Sequence, residues 1–161
     1  MLKNIANHLM SLDEKNKSAY ETNLEKAFLN FDEAKTRIVE ILSSSKGKTI
    51  VTSHEAFGYF CSEFGLTQVG ISDIADHEPS AKRLQEIVSF MKKEDIHVIY
   101  AESLDELGYC ETVQEELSKE GFAVTFATLD AHEGGSESSF KEGKHLLSIL
   151  EENAKTIAKH S

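Results

Sequence analysis

Four short runs rich in Val, Ile, Tyr and Phe punctuate the second part of this chain: Thr49 to Thr52, Gln68 to Ile71, His97 to Ala101 and Ala123 to Ala127. Segments with helical periodicity separate them, at Glu55 to Phe64, Ser80 to Lys93 and Leu104 to Glu120, and a last helix falls near Ser138 to Lys159. Strands that alternate with helices over short connections imply a parallel sheet covered on both faces and wound with right-handed crossovers. The fold class predicted is therefore α/β, a four-stranded parallel sheet sandwiched by helices.

Everything before Ser43-Ser44-Ser45-Lys46-Gly47-Lys48 reads as helix instead. Residues 14–42 contain neither Gly nor Pro, and Asp13 is a suitable N-cap, which predicts one N-terminal linker helix of roughly 45 Å. Leu24, Ala27, Phe28, Phe31, Ala34, Ile38, Ile41 and Leu42 recur at spacings of three and four and predict one buried face. Such a helix exceeds what this sheet needs for cover, so part of it is expected to span to a neighbour. Residues 1–11 read as the tail of an earlier helix. The expected division is a connecting-helix region at 1–45 and an α/β lobe at 46–161. Gly65 and Gly121 are placed to end helices, and Pro79 to sit in the first turn of the helix that Ser80 opens. Gly134 to Ser139 reads as a flexible connection.

Twenty-eight acidic against seventeen basic residues give a formal charge of -11. With no basic cluster to interrupt that excess, nucleic acid is not an expected partner. No stretch approaches the roughly 20 apolar residues of a membrane span, and MLKNIANHLM lacks the apolar core of a secretory signal. Cys61 and Cys110 have no CxxC spacing, and buried free thiols are expected.

In an open parallel sheet, ligands bind beyond the carboxyl ends of the strands. The first strand ends in Thr52-Ser53-His54-Glu55, the third in Glu102-Ser103 and the fourth in Leu129-Asp130-Ala131-His132-Glu133. Imidazole and carboxylates, which are good zinc ligands, thus collect on one edge, with His54 and Glu133 the evident pair and Glu102 beside them. Without an HExxH or paired CxxC spacing, this pattern taken bare fits an ordinary hydrogen-bonded polar residue at a strand end better than it fits a ligand. Of the other histidines, His8, His145 and His160 are expected on helices in solvent, His97 as a polar boundary residue and His77 on the surface. Phe57, Tyr59, Phe60 and Phe64 fall at helical spacing and are assigned to packing.

The stretch TSHEAFGYFCSEFGL resembles the signature H-x-AFGYF-x-x-x-YGL of the zinc-binding branch of the metal solute-binding proteins that serve ABC transporters. Glu78-Pro79-Ser80 and IHVIYAES follow in the order and at roughly the distances of that family, and the likeness extends from about Leu12 to His160. The resemblance implies two α/β lobes joined by a rigid helix, with a metal in the cleft; this chain would be the connecting helix and the second lobe. His54 falls at the family's third ligand, a histidine in zinc-type members, so zinc is implied over manganese. The fourth ligand, in a stretch like L-x-P-x-E-G, falls on Glu133 of LDAHEG. There Ala131 replaces the proline, and Asp130 and His132 are close enough to compete. Glu102 matches a strand-end glutamate expected near the site, either binding the metal or accepting hydrogen bonds from a ligand.

Two of four ligands imply weak zinc binding by this chain alone. The rest would come from the first lobe or from a second copy of the chain, with a membrane ABC permease as the recipient and a periplasmic or other extracytoplasmic location. A rival reading is a small α/β enzyme, hydrolase-like, with His54 as base to Ser53, Glu102 or Glu133; no G-x-S-x-G elbow supports it. A flavodoxin-like signalling or nucleotide-binding module would call for clustered acids after the first strand or a glycine-rich loop, and neither is present.

Overall fold

Alternation along the strands decides the architecture. In β1 (Thr49–Thr52) Ile50 and Val51 point to opposite faces of the sheet, as do Val98 and Ile99 in β3 (Val98–Ala101), and all four are buried. A strand apolar on both sides needs cover on both sides. The structure, a computed structural model, describes residues 1–73, 78–102, 107–131, 141 and 143–161. It completes the sheet with β2 (Thr67–Gly70) and β4 (Thr125–Thr128), in the order β2-β1-β3-β4 with every pair parallel.

One core joins Ile38, Leu42, Ile50, Phe57, Phe60, Tyr100, Leu129 and Ile157. It lies beneath α2 (Lys17–Ile41), α3 (Gly58–Phe64) and α6 (Leu146–His160). The other joins Val51, Ile71, Ile87, Met91, Ile99, Val113 and Leu117 beneath α4 (Ala81–Lys93) and α5 (Tyr109–Lys119). Cys61 belongs to the first and Cys110 to the second, and both are buried and outside any disulfide.

The expected boundaries hold to within a few residues where they are described, with instructive exceptions. Ser80 caps α4 by accepting from the Arg83 amide at 3.2 Å. Pro79 therefore stands just before the cap and not in the first turn. Gly65 and Gly121 take the left-handed φ of +73° and +77° that the helix ends require. Asp13 does not cap the long helix: its carboxylate accepts from the Asn16 amide and the Tyr20 hydroxyl, and a 3-10 turn, Glu14–Asn16, precedes α2. The expected starts near Leu104 and Ser138, His77 and the Gly134 to Ser139 connection lie outside the described residues.

The 25 residues of α2 span roughly 37 Å, less than anticipated. Its predicted apolar face is buried only at the C-terminal end, at Ala34, Ile38 and Leu42, where the helix lies against α6. Toward its N-terminus Phe28 is 44 % exposed and Leu29 62 %, where α1 (Leu2–Leu12) runs alongside α2 and α6 does not cover it. Tyr59 is 96 % exposed, against the packing role expected for it. Phe57, Phe60, Cys61 and Phe64 form the inward stripe at i, i+3, i+4 and i+7, and Tyr59 falls between those positions.

Candidate metal centre

The chain leaves β1 for β2 on one side of it, while β3 and β4 lie on the other. Strand order thus reverses between β1 and β3, and open α/β sheets take their ligands in the crevice beyond the carboxyl ends of the strands at such a point. His54 is the second residue after β1 and Glu102 the first after β3. Topology alone brings them face to face: His54 Nε2 stands 3.4 Å from Glu102 Oε1, with the side chains 13 % and 28 % exposed.

Local bonds hold the imidazole there. The Ser53 amide donates to the Tyr100 carbonyl at 2.8 Å, and the Ser53 carbonyl accepts from both the amide and the hydroxyl of Ser72. Ser53 Oγ lies 3.4 Å from His54 Nδ1. The fully buried Thr52 hydroxyl donates to the His54 carbonyl at 2.8 Å, and the Ala56 amide donates to that same oxygen. The residues between strand and helix are thus pinned, which is why α3 begins at Gly58 and not at Glu55.

Past β4, the buried Asn153 of α6 accepts from the Asp130 amide and donates to the Asp130 carbonyl, at 3.0 and 2.9 Å. This two-bond clamp fixes where the chain leaves the sheet after β4. Glu133 and His132 lie outside the described residues. Among the described residues no third His, Cys, Asp or Glu joins His54 and Glu102 in a group able to hold a metal. Cys61 offers no soft ligand either, since burial pushes its thiol up to about 11 and keeps it protonated at neutral pH.

A neutral imidazole facing a carboxylate can share a divalent cation or a proton; with Ser53 at the other nitrogen, it can also serve as a base. Gln68 and Asn153, which tie down the two loops, were not singled out in the sequence. Each had a signal: Gln68 is polar within an otherwise apolar strand run, and Asn153 sits on the buried stripe between Ile149 and Ile157.

Comparison with known proteins agrees with this fold. Residues 1–160 match the family described as ZnuA, zinc-uptake complex component A, periplasmic. The zinc-binding lipoprotein AdcA of Streptococcus pneumoniae (strain ATCC BAA-255 / R6) is 37 % identical over 145 residues, covering 89 % of this chain and 26 % of its own. The crystal structure of the Streptococcus pneumoniae AdcAII protein superimposes with a TM-score of 0.83 at 29 % identity, over 99 % of this chain and 57 % of that one. The periplasmic zinc-binding protein TroA from Treponema pallidum, with a TM-score of 0.85 at 21 % identity over 98 % of this chain and 58 % of its own, shares the fold. The chain belongs to the ZnuA family, and it spans about a quarter of the AdcA sequence and little more than half of the two structures.

Proposed function

We propose that this chain is the connecting helix (1–45) and C-terminal metal-binding lobe (46–161) of a zinc solute-binding protein, which captures Zn2+ between two lobes outside the cytoplasm and delivers it to an ABC permease. The observation that carries the reading is His54 Nε2 facing Glu102 across the β1/β3 crevice in a chain of a zinc-uptake family. Zinc is the cargo and no bond of a substrate is made or broken, so the protein works by binding and is not an enzyme.

His54 and Glu133 are the ligands this lobe contributes. Glu102 steadies the imidazole or takes part in binding, while Asp130 and His132 are alternatives to Glu133. Zinc prefers four ligands, so the 161-residue chain by itself holds the ion weakly and gains affinity from a first lobe or from a second copy that completes a His2Glu2 site. Zinc is preferred over manganese because the third position is an imidazole and not a carboxylate.

Competition titration of zinc against a chromophoric chelator tests this, using wild-type chain, His54→Ala and Glu133→Gln. Each variant should bind more weakly than wild type; equal binding by His54→Ala removes the assignment. Hydrolase turnover abolished by Ser53→Ala would instead support the base reading of His54.

A further inference from the structure

One residue that holds the loop carrying His54 is not adjacent to it in sequence. It belongs to the edge strand. In the parallel register Gln68 pairs with Ile50 and Gly70 with Thr52, so Gln68, Gly70 and Thr52 all face the side of the sheet on which α3 lies. The Gln68 carboxamide spans the whole β1–α3 connection. Its Oε1 accepts from the Phe57 amide at 3.0 Å, and its Nε2 donates to Thr52 Oγ1 at 2.8 Å and to the His54 carbonyl at 3.0 Å.

The orientation of that amide is dictated by its partners. A backbone N–H can only donate, so the oxygen must face Phe57, and a carbonyl can only accept, so the nitrogen must face His54. One side chain thereby closes the loop at both ends: at the carbonyl of the histidine and at the N-cap residue of α3.

Gly70 supports the same loop from below. A Cβ there would lie 2.5 Å from Glu55 Cγ and 2.6 Å from the Ser72 carbonyl oxygen. The loop rests directly on the β2 backbone, whose Gly70 carbonyl is in turn held by Arg83 Nη2 of α4 at 2.6 Å. Edge strand and loop form one unit.

We infer that Gln68 is the positioning residue for His54, setting where its imidazole meets the metal; this rests on the reading of His54 as a zinc ligand. Gln68 touches no metal. It acts by removing freedom from the peptide that carries the ligand, as outer partners of metal ligands do, at a typical cost of about 10–100-fold in affinity when lost.

A double-mutant cycle on the 161-residue chain tests the inference, with zinc and cobalt(II) as probes. Gln68→Leu, His54→Ala, the combined variant and Val113→Ala are compared, the last being a destabilising control in the other core. Gln68→Leu is expected to weaken zinc binding by about 10–100-fold, beyond the control, and to shift the visible cobalt(II) bands. Adding it to His54→Ala is expected to cost nothing further, since a residue that works through His54 has no role once the imidazole is gone. Gln68→Glu, which keeps an acceptor for Phe57 but has no donor for the His54 carbonyl at neutral pH, is expected to fold and to show the same metal defect. Losses that add in the combined variant, or a Gln68→Leu chain matching the control, overturn the inference and leave the His54 reading standing. Undiminished binding by His54→Ala overturns both.

Discussion

Two histidine–carboxylate pairs sit at opposite ends of the same sheet. At the amino end His97 Nε2 lies 3.0 Å from Asp95 Oδ1 and Nδ1 2.7 Å from the Ala123 carbonyl oxygen, and the ring stacks on Phe122 with centroids 4.2 Å apart. Both nitrogens are spent on the fold, and the side chains of the pair are 49 % and 85 % exposed. At the carboxyl end His54 and Glu102 are more enclosed and lie in the crevice that strand order creates, on a loop gripped from the edge strand. A histidine beside a carboxylate is therefore not in itself a site. What separates the two is which end of the strands they occupy and how enclosed they are.

Exchanging the two pairs should break this contrast if it is wrong. His54→Ala is expected to lower zinc affinity by roughly 100-fold, while His97→Ala stays within about twofold of wild type, as read by chelator competition. A smaller effect should come from Gly70→Ala. The added methyl has no room against Glu55 and Ser72, so thermal or urea unfolding should show a loss of about 1–3 kcal/mol together with weakened zinc binding. Asn153→Leu unpairs the Asp130 amide and carbonyl at the β4 exit and should cost about 1–2 kcal/mol, with Asp130 amide exchange accelerated.

The smallest effect belongs to the amino-end pair. The Ala123 carbonyl first, and Asp95 next, raise His97 above the ordinary imidazole range. A raised value in the folded state means that protonated His97 stabilises the protein below its unfolded pKa of about 6.5, and that this contribution disappears as pH rises through the folded pKa. The difference in melting temperature between wild type and His97→Gln should accordingly shrink between about pH 6 and pH 8.

Much of this was legible in the sequence because its causes are local. Apolar runs fully buried on both sides marked the central strands, Ser80 announced the cap of α4, and Gly65 its αL turn. His54 could be located at a strand end, but spacing left it equal to His97 as a polar boundary residue, and only the surrounding AFGYF block distinguished it. The less visible features depend on what comes alongside in space. Phe28 lies on a well-formed apolar stripe yet stays exposed, since no element among the described residues covers that end of α2 as α6 covers the other. Tyr59 was placed inward by its aromatic neighbours, although a two-turn helix has room for only one stripe. Gln68 acts through partners 11, 14 and 16 residues away, a relation that no local pattern encodes.

The continuity of α2 has a geometric corollary. A helix without Gly or Pro behaves as a shaft: one residue added near its middle would advance the far end by about 1.5 Å and rotate it by about 100°. Whatever is mounted there, α1 included, would swing out of angular phase with the sheet, whereas about seven residues, two near-whole turns, would restore the bearing at a cost only in length. The spacing between the sheet and α1 is therefore set in discrete steps, and the permissible changes in this segment are counted in turns.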